Sequence, residues 1–129
     1  MKPRLLTVAC LVFLLFITGC EQVDPYKLHP PAWIWGEWGP SSDPSSGAYT
    51  FSETTVLFRV GVASVDLGEL YRAGDMSVTE TITDTVYAWW IPTETGYDGY
   101  RFEKVDANSI NITIESNLGA IGPVPLQRL

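Results

Sequence analysis

Ser109-Ile110-Asn111-Ile112-Thr113-Ile114-Glu115 decides the fold class. Three isoleucines fall on alternate residues, with Asn111, Thr113 and Glu115 between them. That period of two gives an extended chain one apolar and one polar face, the signature of a half-buried strand. Immediately upstream, Tyr100–Val105 pairs with it through the Asp106-Ala107-Asn108 turn. Further back, Met76–Thr83 and Thr85–Ile91 form a second hairpin around Asp84, ended by Pro92, and Thr93–Gly99 is a loop rich in turn formers. Ala48–Glu53 and Thr55–Val60 form a third hairpin, and Trp33–Trp38 is the first strand. Gly39–Gly47 (GPSSDPSSG) joins those two regions as a loop. Downstream, Ser116–Gly122 is a loop before the last strand, Val124–Leu129, whose Pro125 suits only an edge or a strand start. One helix is expected, Asp66–Arg72, with Asp66 as N-cap, Glu69 three residues on, and Gly74 as its stop.

Eight short strands at even spacing, joined by hairpin-length connections, imply an antiparallel meander closed to hide its edges. The expected fold is therefore all-β: an eight-stranded antiparallel up-and-down barrel with one short helix. An open sandwich or roll is the alternative.

The N-terminal end has a different character. Lys2 and Arg4 precede an apolar run, Leu5–Ile17, too short to span a bilayer but suited to a signal-peptide core. Ile17-Thr18-Gly19-Cys20 then resembles the bacterial lipobox, an aliphatic residue and two small ones ahead of a cysteine. The resemblance implies cleavage between Gly19 and Cys20 and acylation of the Cys20 thiol. Two or three acyl chains anchor stably where one does not. A plain secretory signal, or a short membrane helix with an incidental cysteine, is the competing reading. The organisation expected is a signal peptide at 1–19, a lipidated flexible tether at 20–32 and the barrel at 33–129. The Glu21–Pro31 stretch, extended at ~3.3 Å per residue, would reach roughly 35 Å from the membrane. His29 sits alone in it as a solvated linker residue. Glu21 after the cysteine favours the outer membrane of the cell envelope as destination.

Charge and cysteine content narrow the function. Loss of Lys2 and Arg4 takes the formal charge from −7 to −9. Nucleic-acid binding needs a basic footprint and is excluded on that ground, whereas a cationic protein partner is compatible. Cys10 leaves with the signal and Cys20 is consumed by lipid, so no disulfide and no free thiol remain. With one histidine and no mature thiol, Ser-His and Cys-His nucleophile systems lack their members, and no zinc ligand set exists. The glutamates show no spacing that points to a glycosidase dyad. A non-enzymatic protein without cofactor or metal is expected.

The two ends of the domain carry a family resemblance. Gly36-Glu37-Trp38 on the first strand is similar to the G-x-W motif of the lipocalin and wider calycin superfamily, and Arg128 lies near the end of the last strand. In that superfamily the tryptophan plugs the closed end of the barrel and an arginine covers it. The resemblance assigns those roles to Trp38 and Arg128, with Gly36 completing the motif. It extends at the level of pattern over 33–129 and implies a binding protein. The chain departs from it in being short and in having no second motif between the sixth and seventh strands. Strands of about six residues, roughly 20 Å, leave an interior that side chains can fill.

Trp89 and Trp90 are adjacent on one strand and must point to opposite faces. One lies inward; the other faces outward or toward a loop. A small hydrophobic ligand would be held by Trp89 or Trp90 with Phe58 and Phe102, although core packing explains the same residues. Trp33 and Trp35 carry the same ambiguity at the barrel entrance, and Tyr97 with Tyr100 is a possible rim contact. The alternative is a protein–protein or inhibitor element with a filled barrel. Inhibitors of host lysozymes are barrel lipoproteins of this kind, and Ser46-Gly47-Ala48-Tyr49 is similar to their Ser-Gly-x-x-Tyr motif with one residue fewer.

Overall fold

The computed structural model describes residues 24–40 and 47–129. The expected signal peptide at 1–19, with Gly19, Cys20, the start of the expected tether and the middle of the 39–47 loop, lies outside these. Alternating sequence becomes one antiparallel sheet of nine strands: β1 (Gly36–Gly39), β2 (Ala48–Phe51), β3 (Val56–Val60), β4 (Ala63–Asp66), β5 (Thr79–Ile82), β6 (Val86–Thr93), β7 (Gly96–Asp106), β8 (Ser109–Ser116) and β9 (Gly119–Arg128). A 3-10 turn, Ala32–Ile34, leads into β1, and one helix, α1 (Leu67–Ala73), separates β4 from β5.

The spatial order is β4-β3-β2-β1-β9-β8-β7-β6-β5. Neighbours in space are thus neighbours in sequence, except that β1 also pairs with β9, placing Trp38 opposite Arg128 and Gly39 opposite Gln127. The first and last strands meet, while β4 and β5 remain as the two edges of a curled half-barrel. The all-β, antiparallel class with one short helix is what the alternation predicts. Among the described residues the count of eight is corrected to nine, and the sheet is open between β4 and β5. The strand missed is β4. Gly61, at φ +60°, gives a two-residue turn between Val60 and Ala63, and a left-handed glycine there suffices to reverse the chain.

Two further boundaries shift for one reason. Thr93–Gly99 and Ser116–Gly122 are not loops; Thr93 pairs with Gly96 and Ser116 with Gly119, so each reversal takes only two residues. Long cross-strand pairing overrides local turn composition. Pro125 sits within β9 opposite Asn111 of β8. Among the described residues β1 pairs only with residues 127 and 128 on the other side, so Pro125 has no ladder partner there to lose, and proline is tolerated.

The concave face holds the core. Phe58, Tyr49, Phe102, Trp89 and Tyr100 form a chain of ring contacts with centroids 4.9–5.5 Å apart, and Phe51 meets Phe102 edge-on at 5.0 Å. Such offset and T-shaped pairs stabilise by about 0.5–1.5 kcal/mol each beyond area burial. α1 begins as expected, with Asp66 accepting from the Glu69 amide, and it buries Leu67 and Tyr71. Tyr71 Oη accepts from Trp89 Nε1 at 2.9 Å, which satisfies a donor at the centre of the core.

The gap between β4 and β5 is filled by α1 and by residues 24–31. Pro25 accepts from the Val78 amide at 2.9 Å. His29 donates its amide to Glu80 at 2.8 Å, and Trp33 Nε1 donates to the Thr83 carbonyl at 2.9 Å. The segment therefore runs along β5 in the same direction. On its other side, Asp24 pairs with Arg72 and Tyr26 Oη bonds Asp75. Leu28 is 1% exposed and belongs to the main core. The tether expected to extend to residue 32 is corrected here: the packed body begins by Asp24. Three prolines and a polar composition hid one apolar anchor, and a single buried leucine leaves no periodicity to read.

Candidate functional site

At the lower end of the sheet, Trp38 is buried and donates Nε1 to the Ile34 carbonyl at 2.7 Å. The Arg128 guanidinium lies 4.2 Å from the Trp38 ring, within cation–π range. Its nitrogens also donate to the carbonyls of Trp35 at 2.6 Å and of Ala107 at 3.2 Å. Gly36 makes room for this: it sits at φ +118°, and a Cβ there would stand 2.8 Å from Arg128 Nη1. Gly36, Trp38 and Arg128 thus meet in one cluster that ties the 3-10 turn, β1, β9 and the β7–β8 turn together. Trp33 and Trp35 do not stand at an entrance. They bond Thr83 and Pro30 carbonyls and fasten the incoming chain.

The four residues proposed for a ligand divide between the two faces of the sheet. Trp89 and Phe102 are fully buried and stacked, 5.5 Å between centroids. Phe58 is half-buried and reaches them only through Tyr49. Trp90 lies on the opposite, convex face, because its neighbour Trp89 points inward. Trp89 and Phe102 stack directly, so no ligand fits between those two rings. Tyr97 and Tyr100 are separated in the same way: Tyr100 stacks on Trp89, whereas Tyr97 lines the convex face. Burial pushes the hydroxyls of Tyr49 and Tyr71 upward in pKa, as it does that of Tyr100, where Asp98 adds to the shift.

On the convex face, Trp90, Tyr97 and Glu115 line a surface groove of about 360 Å³. The register explains it. Trp90 faces Gly99 and Gly99 faces Glu115 across adjacent strands, so the missing side chain leaves a trough between an indole and a carboxylate. A Cβ on Gly99 would come within 3.3 Å of the Trp90 Cβ, tight enough to disturb the trough. Arg101 lines a smaller pocket that shares Trp90, Tyr97 and Glu115 with this groove, and its Nε donates to Glu103 Oε1 at 2.6 Å. Trp90 and Tyr97 are both more than one-third exposed. Glu115 is absent from any motif; only counting rungs from Trp90 through Gly99 would have found it.

His29 is exposed to solvent, as expected of it, but it is not alone. Its Nδ1 lies 2.7 Å from Glu80 Oε1, and Tyr87 Oη donates to Glu80 Oε2 at 2.7 Å. Burial and the Glu80 carboxylate raise the Tyr87 hydroxyl pKa well above its ordinary range, so it stays a donor. The cluster pins residues 24–31 to β5.

Among the described residues no group of His, Cys, Asp and Glu is arranged to hold a metal ion, and no helix is long and apolar enough to cross a membrane. Compared with family models, curated proteins and solved structures, the chain finds no match in any of the three.

Proposed function

We propose that this chain is a lipid-anchored, calycin-like domain of the bacterial cell envelope that acts by surface contact with a protein, not by chemistry and not by enclosing a small apolar ligand.

 The observation that carries this reading is the division of the aromatic residues. Those on the concave face are consumed by packing against one another, while Trp90 and Tyr97 stand free on the convex face beside Glu115. The lipobox-like Ile17–Cys20 supports the anchor. The meeting of first and last strands, with Arg128 over Trp38, supports the calycin-like comparison.

The groove has the chemistry for a basic side chain. An indole face attracts a guanidinium or ammonium, Glu115 supplies the counter-charge, and Tyr97 covers the aliphatic stem. The acidic balance of the chain steers a cationic partner toward it. The test uses a chain beginning at Gln22, titrated with short arginine-centred peptides and, separately, with fatty acids and hydrophobic dyes. Arginine peptides should change tryptophan emission, and the change should be lost in Trp90→Ala and weakened in Glu115→Gln. Apolar compounds should leave the melting midpoint in place. An apolar ligand at 100 times its Kd would add about 2.7 kcal/mol of stability, and such a rise would restore the enclosed-ligand reading.

A further inference from the structure

We infer that Glu103 is a positioning residue for the convex groove, a role that rests on the reading of that groove proposed above. By holding Arg101, it keeps the chain's own guanidinium off Glu115, the carboxylate that receives the partner's basic side chain. Strand alternation sets up the competition. Tyr100 and Phe102 point into the core against Trp89, so Gly99, Arg101 and Glu103 share the convex face. Arg101 pairs in register with Thr113, and Glu115 stands two residues further along β8, opposite Gly99. Diagonal neighbours of this kind are about 7–8 Å apart, within reach of a long side chain. Glu103 lies two residues along β7, at a similar span of roughly 7 Å.

Arg101 therefore has two carboxylates within reach. Ala88 and Thr113, directly opposite it on the two neighbouring strands, carry no charge, and Gly99 puts no side chain in the way to Glu115. Arg101 takes Glu103, Nε to Oε1 at 2.6 Å. Glu115 makes no ion pair among the described residues. Arg101 and Glu115 nevertheless line one small pocket together with Trp90 and Tyr97. A guanidinium that moved from Glu103 to Glu115 would neutralise the carboxylate and fill the place that an incoming arginine needs beside the indole. The Arg101 and Glu103 side chains are 43% and 51% exposed, and an ion pair so open to water is weak. Removing the Glu103 charge is enough to redirect Arg101.

The test titrates the full chain, in detergent, with the peptide acetyl-Gly-Arg-Gly-amide and follows tryptophan emission. Glu103→Gln should raise the Kd about two- to fivefold, with the melting midpoint in place. Adding Arg101→Gln should bring the Kd back to the parent value or below it. In a Glu115→Gln background the Glu103→Gln effect should vanish, because Arg101 then has no second carboxylate to take. The Arg101 Nε–Hε resonance, recorded by NMR without peptide, gives a second readout. It should move in Glu103→Gln and move again when Glu115→Gln is added. An unchanged Kd in Glu103→Gln overturns the role of Glu103. So does an equal rise with and without Glu115, which would report only the loss of a negative charge, and so does a resonance indifferent to Glu115. A parent protein that binds no arginine peptide overturns the reading of the groove, and the role of Glu103 with it.

Discussion

The sheet ends its edges in two ways. Where β1 meets β9, backbone pairing joins the first and last strands, and Arg128 seals the junction over a buried Trp38. Between β4 and β5 no strand pairing exists. There α1 and residues 24–31 lie in the gap, with Leu28 and Tyr71 as the buried anchors. The first closure uses backbone hydrogen bonds; the second uses side chains from segments that are not strands. Both satisfy the same requirement, that edges and apolar side chains be covered, and they differ in how much of the stability rests on single residues.

Removing the anchor of each closure compares them. Trp38→Ala should cost about 3–5 kcal/mol, since it empties a large buried volume beneath Arg128. Leu28→Ala should cost about 2–4 kcal/mol, measured for both by urea unfolding. A Leu28→Ala protein as stable as the parent would mean that residues 24–31 do not belong to the core. Arg128→Ala should cost less, ~1 kcal/mol, because the side chain is exposed. In a double-mutant cycle with Trp38→Ala the two losses should fall short of additivity by ~0.5 kcal/mol or more. Strict additivity would show that the guanidinium serves the carbonyls of Trp35 and Ala107 and not the indole.

The smallest effect is a pH dependence at the second closure. The Tyr26 amide and the Arg72 guanidinium hold the Asp24 carboxyl below its ordinary value of 3.8. A depressed folded value means that Asp24 contributes fully above that pH, and that the contribution fades as pH falls below it. The melting midpoints of the parent and Asp24→Asn should therefore differ at neutral pH and converge under acid. A constant gap across that range would remove Asp24 from the clasp.

Much of this was legible in order along the chain. The strands around Ile110, Ile112 and Ile114, the Asp66 cap with Glu69, and the opposite orientations of Trp89 and Trp90 all follow from local periods. The candidate site was not. Trp90 was singled out together with Trp89, Phe58 and Phe102, because large aromatic residues look alike until the concave face is known. Nothing local ties Glu115 to the groove, because Trp90 is 25 residues away and the link between them, Gly99, is a residue without a side chain.

By itself, then, the sequence determined the all-β class, the approximate place of most strands and the helix at 66–72. Those properties depend on hydrophobic alternation and turn chemistry within a few residues. The tertiary structure alone decided that there are nine strands, that β4 and β5 stay apart, that Leu28 fills part of the gap, and which tryptophan faces solvent. Each of these depends on register between distant strands. A shift of one residue in register exchanges the buried and exposed faces of a whole strand, and no local pattern contains that information.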